Sequence, residues 1–158
     1  MVPFLSVFEM EQKIAVFVGS FDPFTIGHYD IVQRGLALFD KIIIGIGVNI
    51  DKTKCDHVAQ ERLTYIQSIF KDNQRVEVAL YEGLSVDFAK QNAAKFILRG
   101  VRNIVDFEYE SNMAVINRTL SGIETVLLPA KPELAHVSSS IVRELKKYNQ
   151  NIENFLVK

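Results

Sequence analysis

The chain has 158 residues, 48% of them hydrophobic, with 18 basic against 19 acidic side chains and a formal net charge of −1. That length and apolar content suit one domain with a real core and exclude a disordered or fibrous chain. The balanced charge excludes a global pull on nucleic acid or an anionic membrane, and the single cysteine, Cys55, excludes an internal disulfide and fits a reducing, cytoplasmic setting.

In chain order, residues 2–8 are apolar, but no basic residue precedes them and Glu9 and Glu11 follow, so they read poorly as a signal peptide. Residues 1–10 read as an N-terminal extension, and Met10 is an alternative start that would leave residues 1–9 ahead of it. No apolar run reaches the roughly 20 residues that span a bilayer. Residues 13–18 (KIAVFV) predict a first strand, and Ile31, Val32, Leu36 and Phe39 put helical spacing on residues 28–39. Residues 41–48 (KIIIGIGV) form a near-continuous apolar run, as in a strand covered on both faces. A helix over residues 59–70 follows, with Leu63, Ile66, Ile69 and Phe70 on one side. Residues 76–80, 96–98 and 125–128 predict further strands, separated by helical patterns at 85–92 and 104–120. A last helix, residues 138–148, begins at serines suited to N-capping. This alternation predicts an α/β fold: a single Rossmann-like domain over residues 1–158, with a doubly wound parallel five-stranded sheet and flanking helices. Its ligand site should lie at the carboxyl ends of the strands, near a switch point.

Three segments carry chemistry. Gly19 ends the first strand, and the loop Gly19-Ser20-Phe21-Asp22-Pro23-Phe24-Thr25-Ile26-Gly27-His28 leads into the next helix. A glycine lets the backbone approach a ligand, and the helix start offers free N–H groups and a positive dipole end for a phosphate. His28 can donate a hydrogen bond to a phosphoryl oxygen as charge builds. A histidine there could equally be a satisfied partner of a capping Thr25. In the second segment, Arg99 and Arg102 stand near a strand end, before a helix carrying Asp106 and Glu110. Their guanidinium forks suit phosphate oxygens, and a plain arginine–carboxylate network is the competing reading. In the third, Ser138, Ser139 and Ser140 with Arg143 make an anion cradle at a helix start.

Other chemistries fail. Gly45-Ile46-Gly47 lacks the third glycine of a dinucleotide fingerprint, and there is no Walker A string. Neither C-x-x-C nor H-E-x-x-H occurs, so no protein-held metal is expected. His136 near Ser138 lacks a nucleophile elbow, and His57 has no evident partner.

The string G-S-F-D-P-F-T-I-G-H resembles the T/H-x-G-H signature of the nucleotidyltransferase superfamily. The strings R-G-V-R, D-F-E-Y-E and V-S-S-S-I-V-R are similar to matching segments of the phosphopantetheine adenylyltransferases, and the resemblance runs over residues 13–156. It implies transfer of AMP from ATP to 4′-phosphopantetheine, giving dephospho-coenzyme A and pyrophosphate. His28 would stabilise the transition state, with Lys52 and Arg99 neutralising the acceptor phosphate. The resemblance places ATP against Ser20, Phe21, His28, Gly100, Val101, Arg102, Glu110, Leu134, Ala135, His136, Val137, Ser138, Ser139 and Ser140. It places phosphopantetheine against Ser20, Lys52, Ser85 and Arg99. It further implies Mg²⁺ accompanying ATP, a cytoplasmic homohexamer and feedback binding of coenzyme A. The chain departs from the family at Ile26, where Asn is common, at Ser85, often apolar, and in the loop after Lys52. Two alternatives remain at this point: transfer to another phosphorylated acceptor, and a non-catalytic nucleotide-binding module.

Overall fold

The computed structural model describes residues 10–49 and 55–158. Five strands, β1 (Ile14–Gly19), β2 (Lys41–Gly47), β3 (Val76–Tyr81), β4 (Phe96–Val101) and β5 (Glu124–Pro129), alternate with α1 (Ile26–Gly35), α2 (Cys55–Ile69), α3 (Ser85–Gln91) and α4 (Ile104–Ser121). A 3-10 turn (Pro132–Leu134), α5 (Ser139–Lys147) and a second 3-10 turn (Glu153–Phe155) complete the order. All strand pairs are parallel, in the order β3-β2-β1-β4-β5. The winding therefore runs outward from β1 to β3, then returns to place β4 on the other side of β1. The carboxyl ends of β1 and β4 flank that switch point, where an open α/β sheet binds its ligands.

Helices cover both faces, which is why the strands are apolar without strict alternation. Ala15, Phe17, Ile42, Ile44 and Ile46 face one core with Ile31, Val32, Ile66 and Phe70 of and beside α1 and α2. Val16, Val18, Ile43 and Ile97 face the other, against Val86, Phe88 and Ala89 of α3. Gly45 has a packing reason: a Cβ there would come within 2.5 Å of the Phe88 ring.

Three elements differ from the sequence expectation by more than one residue at an end. Helix α1 starts at Ile26 and ends at Gly35, so Phe39 is buried from the following turn, where its N–H donates to Gly35 O. Helix α2 starts at Cys55, because a polar opening turn carries no apolar period to announce it. Strand β4 runs to Val101, since ladder partners Leu128 and Pro129 hold Gly100 and Val101 extended. Gly100 reads locally as a break; the neighbouring strand overrides it.

Candidate active site

The loop between β1 and α1 is built around an aromatic cage. Phe21 adopts a positive φ of 47°, and its ring is buried. Phe21 meets the His28 imidazole edge-on at 5.0 Å between centroids, with Phe24 at 5.3 Å and Phe17 at 6.2 Å. Thr25 caps α1: its Oγ1 accepts from the His28 N–H, and the Thr25 N–H donates to His28 Nδ1 at 3.0 Å. A backbone N–H is always a donor, so Nδ1 is the acceptor and the neutral ring carries its proton on Nε2. Burial among the phenylalanines, reinforced by the charges of Arg99 and Arg102, pushes the His28 pKa from 6.5 down to about 4. At neutral pH His28 is thus an uncharged N–H donor. The capping reading of this histidine is seen in the structure, and the cap that satisfies Nδ1 leaves Nε2–H as the ring's donor.

His28 lines a cavity of about 400 Å³ at the carboxyl ends of β1 and β4. Ser20, Phe21, Arg99, Gly100, Val101, Arg102 and Glu110 line it from the loop, β4 and α4, and Leu134, Val137, Ser138, Ser139 and Ser140 from the far side. Arg99 grips Glu110 in a bidentate pair, Nε–Oε2 3.0 Å and Nη2–Oε1 2.6 Å, and its Nη1 donates to Val18 O. Three of its five N–H groups are used, and the other two have no acceptor among the described residues. Arg102 is paired with Asp106 at 2.8 Å, which holds the Asp106 carboxyl below the usual carboxylate range. The arginine–carboxylate network therefore exists, and it orients the guanidinium groups at the crevice wall.

At the start of α5 the three serines divide their work. Ser138 caps the helix by accepting from Ile141 N–H, Ser139 donates to Pro23 O at 2.8 Å, and Arg143 Nη2 reaches Ser140 Oγ at 3.3 Å. The remaining N–H groups of this helix start lie beside the loop, an arrangement that suits an anion.

Ser85 does not line the main cavity. It lines an adjoining one of about 150 Å³, which shares Val18, Gly19, Arg99 and Glu110 with the first, and its hydroxyl lies 3.2 Å from Tyr81 Oη. Ala135 and His136 are absent from the walls of the main cavity; the His136 ring packs edge-on to Phe155. Lys52 lies outside the described residues. Sequence reasoning missed Met113, Ala114 and Asn117, which line the smaller cavity from α4. Their spacing of three, four and seven residues from Glu110 puts all four on one helix face, a signal present in the sequence.

The protein-family model described as cytidylyltransferase-like matches residues 16–145. A phosphopantetheine adenylyltransferase from Bacteroides thetaiotaomicron is 52% identical over 145 residues, covering 92% of this chain and 95% of that protein. One from Flavobacterium johnsoniae is 50% identical over 142 residues, covering 90% of this chain and 93% of that protein. The chain belongs to the phosphopantetheine adenylyltransferase family. Among solved structures, a bifunctional NMN adenylyltransferase/ADP ribose pyrophosphatase from Francisella tularensis superposes with a TM-score of 0.69 at 18% identity, covering 92% of this chain and 45% of that longer chain. A putative nicotinate-nucleotide adenylyltransferase from Vibrio parahaemolyticus gives 0.62 at 17% identity, covering 93% and 88%. At that identity the likeness speaks for the fold alone. In this chain the β1–α1 loop, the β4 end and the α5 start line one crevice, and His28 is part of its wall.

Proposed function

We propose that this enzyme transfers AMP from ATP to 4′-phosphopantetheine, releasing pyrophosphate and forming dephospho-coenzyme A. The observation that carries the reading is the neutral His28 donor in the crevice, flanked by two arginines and a helix N-terminus. A phosphate monoester has a second pKa near ~6, so the acceptor is a dianion at neutral pH and attacks the α-phosphorus without a general base. His28 Nε2–H donates to the α-phosphoryl oxygens as charge develops, and the α5 start with Ser138 to Ser140 receives the outgoing pyrophosphate. Arg99 offers its two remaining N–H groups to the acceptor phosphate, alongside Lys52. The pantetheine arm then runs into the smaller cavity, past Ser85.

Mg²⁺ would accompany the triphosphate and offset its charge. Asp106 and Glu110 are paired with Arg102 and Arg99, and among the described residues no group of three His, Cys, Asp or Glu side chains could cage an ion. Among the described residues no helix is long and apolar enough to cross a membrane; the cytoplasmic setting comes from the family resemblance. Helix α4 exposes Val105, Tyr109, Ile116 and Leu120 on one stripe, which favours a homo-oligomer; the count of six and feedback by coenzyme A come from the family resemblance.

Purified protein with Mg-ATP and a panel of phosphorylated acceptors, followed for pyrophosphate, tests the reading. Release with 4′-phosphopantetheine is expected. Release only with a different acceptor would replace the substrate, and ATP binding without release from any acceptor would leave a binding module.

A further inference from the structure

Arg62 lies on α2, well separated in sequence from each of the three segments that carry the site. Its Nη1 donates to the carbonyl oxygen of Ser20, across 42 positions of sequence, while its Nε reaches Val58 O of its own helix at 3.4 Å. Ser20 and Phe21 line the main cavity, whereas Arg62 is outside its walls. Two more side chains grip the same loop from α5: Arg143 Nη1 donates to Asp22 O at 2.7 Å, and Ser139 Oγ to Pro23 O at 2.8 Å. Three loop carbonyls are thus captured by donors from two helices.

The peptide plane gives that capture a consequence. In a trans peptide the C=O of one residue and the N–H of the next point in opposite directions. Drawing Ser20 O toward Arg62 therefore turns the Phe21 N–H the opposite way. That N–H donates to no acceptor among the described residues. The peptide also precedes a residue held at φ 47°, a conformation that a non-glycine residue keeps only when its surroundings enforce it.

We infer that Arg62 is a positioning residue: it anchors the Ser20–Phe21 peptide so that the Phe21 N–H faces the phosphates in the crevice, beside His28. This rests on the transfer reaction proposed above. Loss of the anchor lets the peptide rotate and removes one preset donor from the transition state, while the binding groups on β4 and α5 stay in place.

The test is Arg62→Ala, with Arg62→Lys as the conservative variant. Arg62→Ala is expected to lower kcat by about 10²-fold, the scale of a small misplacement of a reacting group, with the KM for ATP within about threefold of the parent. Arg62→Lys, which restores one N–H donor, should recover part of kcat. A kcat for Arg62→Ala within about threefold of the parent overturns the assignment; so does a loss that lysine does not relieve and that tracks a fall in Tm. The backbone ¹⁵N–¹H resonance of Phe21 in the ligand-free protein is a readout independent of turnover. It should move in Arg62→Ala, and an unmoved resonance overturns the assignment whatever the activity. Failure of the parent protein to release pyrophosphate, with a shifted Phe21 resonance, would instead sink the reaction and leave the anchor standing.

Discussion

In the reaction proposed above, His28 has to remain a hydrogen-bond donor without becoming a cation, and its two nitrogens stand in separate surroundings that serve that end. The Thr25 N–H occupies Nδ1, and the phenylalanine cage with the two arginines disfavours a second proton. In His28→Ala, kcat should fall by about 10²–10³-fold, the effect of losing one oxyanion donor. A turnover equal to the parent would remove His28 from the mechanism. In the ligand-free protein the His28 ring should titrate near 4, read from its Cε1–H resonance; a midpoint above 6 would contradict the cage argument. The sign follows from linkage. The unfolded chain takes up this proton first, so the stability tied to His28 is full above pH 6.5 and is lost as pH falls through 6.5 toward 4, by up to about 3 kcal/mol. The acid limb of kcat/KM should then lie near ~6, where the acceptor phosphate protonates, rather than near 4.

At the scale of elements, the start of α1 shows what the crevice demands beyond the fold. A Cβ on Gly27 would meet Thr25 Oγ1 at 3.5 Å and Val137 O at 3.7 Å, ordinary contacts, so the protein itself has room for alanine. Gly27 nevertheless lines the cavity, so a methyl there intrudes on the ligand. Gly27→Ala should keep or slightly raise Tm, because alanine restricts the unfolded chain, while turnover falls by about tenfold or more. A lowered Tm with normal turnover would place the need for glycine in the fold instead. The loop and its helix were legible in sequence because glycine, cap and histidine lie within ten positions of one another. The end of β4 was not, since Gly100 is held extended by Leu128 of the next strand. The stripe on α4 was hidden for a different reason: apolar residues at helical spacing read as a core face, and only packing shows Val105, Ile116 and Leu120 left outside.

For the whole molecule, that exposed stripe is the feature one copy of the chain leaves unresolved. Tyr109 belongs both to the stripe and to the wall of the smaller cavity, so the assembly and the acceptor pocket proposed above would share α4. The double substitution Ile116→Glu with Leu120→Glu should reduce the sedimenting mass while leaving the helical circular dichroism signal intact. An unchanged mass would move the interface elsewhere. The sequence by itself determined the α/β alternation, the parallel sheet with its switch point, the loop ending at His28, and the arginine and serine segments. Each of these is written in local spacing, where apolar period, cap and turn residues act within a few positions. Only the tertiary structure decided the rest: the phenylalanine cage that keeps His28 neutral, the pairing that orients Arg99, and the grip of Arg62 and Arg143 on the loop. Those contacts span 42 and 121 positions for the two loop-gripping arginines, and they depend on how α2 and α5 pack, which no local pattern encodes.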